Sequence, residues 1–242
     1  IAKCERFQMF ETKSGLRKIA TLIIGAALTI AATTPAQAAV QYPKTVNYLA
    51  AQFVDDKYVI GSTAGKQDFG MTLEAMLQLL AAGKDAKSQA AAVTHNLKSA
   101  KTVGIWSSKV GALYSPDKRF ISSDAGKYLF TYAAFKQSTG TLFKDVLSTL
   151  KKHIAKDGSI LTVPDNSVAP SQNIYTSAWI ALGLNAVNET ALAEKVALKL
   201  TSFSIAKTGG FADSQTDSSS SASPDATGLA LQALAAVKGL GS

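Results

Sequence analysis

"GGFADSQTDSSSSASPDATGLALQALAA", Gly209 to Ala236, joins a glycine turn, a serine-rich polar insert and an apolar helix with no strand between them. The same order of events occurs three times upstream, in Asp55 to Gly83, Lys109 to Phe135 and Lys156 to Leu184. A fixed internal period decides a fold, because a repeat cannot bury its apolar face alone and must stack on its neighbours. Gly158 and Gly209 are 51 residues apart, as are Ile160 and Phe211, and Thr176 and Thr227. Thr72 lies 104 residues before Thr176, two steps of nearly the same length. The second copy is the loosest, with Ala125 or Lys127 near the expected place.

Each period carries a second helix. Thr45 to Val54, Asp85 to Ala100, Gly140 to Lys156 and Thr190 to Phe203 are amphipathic. In the third of these, Leu142, Val146, Leu147, Leu150 and Ile154 recur at spacings of three and four, and Lys144, Lys151, Lys152 and Lys156 take the other face. By contrast "YTSAWIALGL" and "TGLALQALAAV" are apolar almost all round, the mark of buried helices. The chain thus alternates outer, half-wet helices with inner, buried ones. "YVIG" and "SILTV" lean toward strand but are too short to show alternation, and read as loop. The expected class is all-α, with about four helix-pair repeats of roughly fifty residues.

The first 38 residues stand apart. A basic patch (Lys13, Arg17, Lys18), an apolar run of 14 residues from Ile19 to Ala32, and an A-x-A ending at Ala36 and Ala38 make a secretory signal peptide. A membrane span needs about 18 or more apolar residues. Met9 is the expected start, cleavage is expected near Ala38, and residues 39–242 form the exported repeat domain, with no membrane span after cleavage. That domain carries 20 basic and 15 acidic residues, spread without the dense basic patch and interleaved aromatics of a nucleic-acid binder. Its leader holds the chain's one cysteine, Cys4, so neither a disulfide framework nor a thiolate metal site is expected in the domain.

A Gly-Gly-aromatic turn, a loop with an acidic residue and a small-residue helix beginning with Thr together resemble the repeat of the terpenoid cyclase and protein prenyltransferase α/α toroid. The match lies in "KTGGF…SPDATGLALQALAA" and in "KDGSI…SQNIYTSAWIALGL". The chain is similar to secreted actinobacterial prenyltransferase and squalene oxidase repeat proteins, whose opening resembles "YLAAQFVDDKYVIG…DFGMTLEAMLQLLAAG" here; the likeness covers Tyr48 to Val237. It implies concentric rings of inner and outer helices around a cavity at the inner-helix N-termini. Four helix pairs are fewer than a closed ring of this kind uses, so it implies a partial or open toroid.

The chemistries of that fold can be checked on the residues. A D-x-D-D proton donor is absent, since "SPDAT" holds the lone Asp225; the zinc set of prenyltransferases and the thioester of complement-type relatives both need a cysteine. No G-x-S-x-G elbow occurs. His95 and His153 lack a histidine partner four residues away and read as surface residues of outer helices. Asp213 and Asp217 within the serine tract lack the ordered oxygens of a calcium loop; the tract reads as a polar loop at the cavity mouth. Asp68, Glu74, Asp124 and Asp225 lie near inner-helix starts. For three of them helix capping and dipole interaction are the first reading, with Glu74 deeper in its helix.

What remains points to binding. Tyr128 and Tyr132, and Tyr175 and Trp179, are each four apart and share a helix face, which could line a cavity with an apolar wall carrying polar tips; the other reading packs them between the helix rings. The expectation is a non-catalytic module without metal or cofactor. It binds an apolar or amphipathic small molecule, a corrinoid (which other carriers of the fold bind), or a cell-surface component. Its ligand residues are Tyr128, Tyr132, Tyr175, Trp179 and Asp225. The alternative is a divergent toroid enzyme, acting on isoprenoids or as a polysaccharide lyase, with Asp225 and Glu74 in the catalytic roles.

Overall fold

A computed structural model describes residues 36–61, 67–102, 113, 120–138, 140–161, 173–214 and 221–237. Two compact units divide the chain after Pro43. Of the first, only residues 36–43 are described, the opening turns of helix α1 (Ala36–Ala51). The expected leader, apart from its last three residues, and the serine tract from 215 to 220 lie outside the described residues, as does Asp217. Among the described residues no helix is long and apolar enough to cross a membrane.

The second unit alternates helices in the expected order: α2 (Phe69–Ala81), α3 (Lys87–Thr102), α4 (Ser122–Ala134), α5 (Thr141–Lys152), α6 (Ile174–Ala186), α7 (Thr190–Leu200) and α8 (Pro224–Ala236). The inner helices succeed one another in space, α2 against α4, α4 against α6, and α6 against α8, while α5 and α7 pack on α4 and α6. The outer helix α5 shows the expected stripe: Leu142, Val146 and Leu150 are buried and Leu147 partly so, with Lys144, Lys151 and Lys152 in water; the helix ends at Lys152, short of the expected Lys156, and Ile154 and Lys156 lie beyond it.

Expectation and structure part at the ends of the outer helices. The described chain is mostly helical, consistent with the all-α class, but it also holds a few short strands where loop was expected. "YVI" is a strand, β2 (Tyr58–Ile60), pairing antiparallel with β1 (Phe53–Val54) and with β3 (Gln67–Asp68). A second hairpin joins β4 (Ser204–Ile205) to β5 (Gly210–Phe211), and Ile154 bridges Ile160 in the third repeat. Strands of two and three residues offer no run long enough for alternation to be read from sequence. The outer helices accordingly stop short of the expected bounds, α1 at Ala51 and α7 at Leu200, followed by a single 3₁₀ turn.

These hairpins are how the repeat is built. Val59 N–H in β2 donates to the Thr72 hydroxyl at 2.9 Å, and Phe211 N–H in β5 donates to the Thr227 hydroxyl at the same distance. Each threonine stands four residues past its helix's N-cap, Asp68 or Ser223, and those caps accept from Met71 N–H and Ala226 N–H. In α6 the cap is Asn173, so the fourth residue is Ser177, buried, and not Thr176. The sequence offset of 51 holds at the hairpin but falls by one at the cap, the difference lying in the loop between them. The second copy departs most: its cap is Ile121, which has no side-chain oxygen to offer.

At the centre, α4 and α6 approach until their backbones touch. A Cβ on Gly126 would stand 2.7 Å from Ile180 N and from the Trp179 carbonyl, and one on Gly183 would collide with the carbonyl of Gly126. Only glycine permits this separation, so α6 can bury Ile174, Ala178, Ile180, Ala181, Leu182 and Leu184 between its neighbours. The turn before α6 has a like constraint: Gly158, at φ 88°, lies against the Lys195 carbonyl.

One inner helix differs from its sequence reading. α8 is buried on one face only, at Ala226, Ala230 and Ala233, and Leu231 is 54% exposed.

Gly126→Val forces the central pair apart and is expected to cost about 1–3 kcal/mol or more in urea unfolding, as overpacked cores do. Thr72→Val leaves Val59 N–H without its acceptor, at a cost of about 1–3 kcal/mol, while Thr176→Val, one residue off the clasp position, costs less.

Candidate functional site

The carboxylates expected near inner-helix starts fall into two groups. The first lies where α2 meets α4. Asp68 caps α2 through Met71 N–H at 2.8 Å. Glu74, two turns on, forms an ion pair with Lys127 of α4. Asp124, one turn before Lys127, sits in the first turn of α4 and supplies no cap; the capping expectation holds for Asp68 and not for Asp124. Its carboxyl is partly buried, and that burial pushes its pKa up from 3.8 to about 7. Lys127 opposes the shift, and the negative charges of Asp68 and Glu74 reinforce it.

Gly70 makes room for the group. A Cβ there would lie 3.1 Å from Asp124 Oδ1 and 3.3 Å from Lys127 Nζ. Lys127 continues across to α6, where its ammonium stands 5.3 Å from the centre of the half-buried Trp179 ring. Phe130 of α4 flanks the same indole at 6.1 Å. One lysine thereby links a carboxylate on α2 to an aromatic face on α6, next to a carboxyl that is half-protonated near neutral pH.

The second group lies where α6 meets α8. Tyr175 donates its hydroxyl to Asp213 Oδ1 at 2.8 Å, and Ser223 Oγ stands 3.4 Å away. Asp225 is exposed in the first turn of α8, where Ser223 is the cap. Asp225 thus faces the helix dipole without capping.

The four aromatics expected to share a wall do not share one. Tyr128 and Tyr132 are fully buried, ring against ring at 4.2 Å, with Phe143 of α5 at 6.0 Å from Tyr128. The Tyr132 hydroxyl donates to the Ala90 carbonyl and accepts from the Thr94 hydroxyl, both at 2.7 Å, so its polar tip is tied to α3. Burial raises both phenols above the ordinary tyrosine range. This is packing between helices, the other reading of that pair. Tyr175 and Trp179 remain half-exposed.

His95 is exposed as expected, but His153 is not a surface residue. It is 3% exposed, its Nδ1 donates to the Thr149 carbonyl at 2.9 Å, and its ring stacks on Phe120 at 4.7 Å. His153, the C-cap of α5, falls three residues past Leu150 and seven past Val146, in phase with the buried stripe and not with the lysine face. Among the described residues no three His, Cys, Asp or Glu side chains gather as a metal would need.

The sequence places Lys127 near a repeat position but assigns neither it nor Gly70 a part in a site. The one local signal is the three-residue spacing of Asp124 and Lys127; their meeting with Glu74 and Trp179 depends on three helices coming together.

A carboxyl held at about 7 when folded against 3.8 when free leaves the unfolded chain with fewer bound protons between those values. Asp124 therefore contributes stability below 3.8 that is lost as pH rises to about 7. Asp124→Asn is expected to raise the melting temperature above pH 7, with the gain shrinking to nothing as pH falls through this window; thermal unfolding across pH checks it. Compared with known proteins, the chain matches no protein-family model and no curated protein.

Proposed function

We propose that this chain is an exported helical repeat module, of the α/α-toroid kind that its repeat resembles, and that it works by binding rather than by turnover. Its ligand is an apolar or amphipathic molecule, or a cell-surface component. The observation that carries this is the Glu74–Lys127–Trp179 chain beside Asp124. It offers a half-buried indole face and fixed charges within one ligand's reach, at the starts of α2 and α4 and on α6. Apolar contact with a few placed polar groups is the usual make-up of a small-molecule site. Support for the toroid-like reading comes from the recurring unit of outer helix, hairpin, Thr clasp and inner helix. Tyr128 and Tyr132 have no part in the site, and Tyr175 and Asp225 belong to the group at α8.

Thermal-shift and native mass-spectrometry screening of the full-length protein against lipids, isoprenoids and corrinoids, with pull-down from cell-wall extract, tests the reading. A hit is expected to be lost in Trp179→Ala and weakened in Lys127→Met. Silence in every class sinks it.

One observation favours the enzymatic alternative and moves it to a different residue. A general acid must hold its proton at working pH, and Asp124, partly buried at the start of α4, does so up to about 7. On that reading Asp124→Asn abolishes turnover of an isoprenoid or polysaccharide substrate, the wild-type rate falls above pH 7, and Asp225→Asn retains activity.

A further inference from the structure

For the group at Lys127 and Trp179 we infer that the ligand is a neutral saccharide, held by its ring face on the indole and by its hydroxyls on the charged side chains beside it. This rests on the binding role proposed above and narrows its ligand to one chemical class.

The charges exclude the other classes in turn. Asp124 has one positive neighbour, Lys127, and two negative ones, Asp68 and Glu74, so three carboxyls gather about a single ammonium. An anionic head group would meet more like charge than unlike there, at a cost of several kcal/mol in such a contact. A cationic ligand finds its place over the indole already taken, because the Lys127 ammonium stands 5.3 Å from the ring centre. A wholly apolar ligand such as an isoprenoid would take Lys127 and Glu74 out of water and return no hydrogen bond to either.

A hydroxyl suits both signs, since it accepts from an ammonium and donates to a carboxylate. Asp124 extends the set: its carboxyl keeps a proton up to about 7, so it can donate as well as accept, and it is not engaged in capping α4. These groups are reachable from solvent, with the Glu74 side chain 41% exposed and that of Lys127 15%. A pyranose carries adjacent hydroxyls on a stiff ring and leaves a patch of slightly positive C–H groups on its face. The negative face of an indole is the natural partner of that patch, and the half-buried Trp179 ring offers one, flanked by Phe130. A stiff ring also loses little freedom when it is held.

Isothermal calorimetry on the full-length protein with cellotetraose, chitotetraose, mannotetraose and, as the acidic counterpart, tetragalacturonate reads the binding. A neutral oligosaccharide is expected to bind and the uronate is not. Trp179→Ala is expected to abolish that binding, and Leu198→Ala, an exposed leucine on α7, to leave it unchanged. Glu74→Gln is expected to weaken it about tenfold, the worth of one hydrogen bond to a charged group. The chain has two tryptophans, so in a Trp106→Phe background the fluorescence of Trp179 alone is expected to change saturably as the sugar is added. Circular dichroism confirms that each variant is folded. Preference for the uronate overturns the inference, as does a sugar that binds Trp179→Ala equally well. An isoprenoid or lipid that needs Trp179, with no neutral sugar bound, overturns it and leaves the binding role standing; silence in every class sinks both.

Discussion

The arrangement rests on the contact of two helix backbones, α4 and α6, at Gly126 and Gly183. Dispersion and burial reward close approach, and at most positions side chains keep helices apart by several ångströms. Here neither helix carries a Cβ at the crossing. α6 can therefore lie against α4, α7 and α8 at once, and α4 can hold α2 and α5 while its Tyr132 reaches α3. The separation set at this crossing also brings Lys127 of α4 to the Trp179 ring. Packing and site geometry share one cause.

A second constraint acts between repeats. An outer helix must hand the chain to an inner helix across a turn whose backbone groups are buried and need partners. The hairpin does this within the strand pair, and the threonine one turn into the next helix takes the remaining N–H. The same hydroxyl on Thr72 also donates to the Asp68 carbonyl, so a single side chain joins strand, cap and helix. Where the second repeat has Ala125 at that place and Ile121 at the cap, this device is missing, and the first turn of α4 is where Asp124 becomes partly buried and holds its proton to about 7.

The candidate site was legible in part. The carboxylates near inner-helix starts could be named, because helix beginnings are marked by caps and by the onset of apolar periodicity. Which of them would matter could not. Asp68 caps α2, Asp225 is in water, and Asp124 is a carboxyl whose burial raises its pKa to about 7, a state set by neighbours from other helices. The aromatic pairs show the same limit. Spacing of four puts Tyr128 with Tyr132, and Tyr175 with Trp179, on one face each, yet the first pair closes against α3 and α5 and the second stays half-open. His153, three residues past Leu150 and seven past Val146, continues the buried stripe of its helix, which its polar side chain disguises.

By itself the sequence determined the alternation of amphipathic and apolar helices, their number and order among the described residues, and the period near fifty, since these follow from residue spacing along one chain. It also carried the glycines at the turns and at the crossing. Only the tertiary structure decided the hairpins, the half-exposed state of α8 and the meeting of Glu74, Lys127, Asp124 and Trp179. Burial and proton affinity depend on what other segments bring to a side chain, and the contacts of the candidate site run between residues just over fifty apart, beyond the reach of any local pattern.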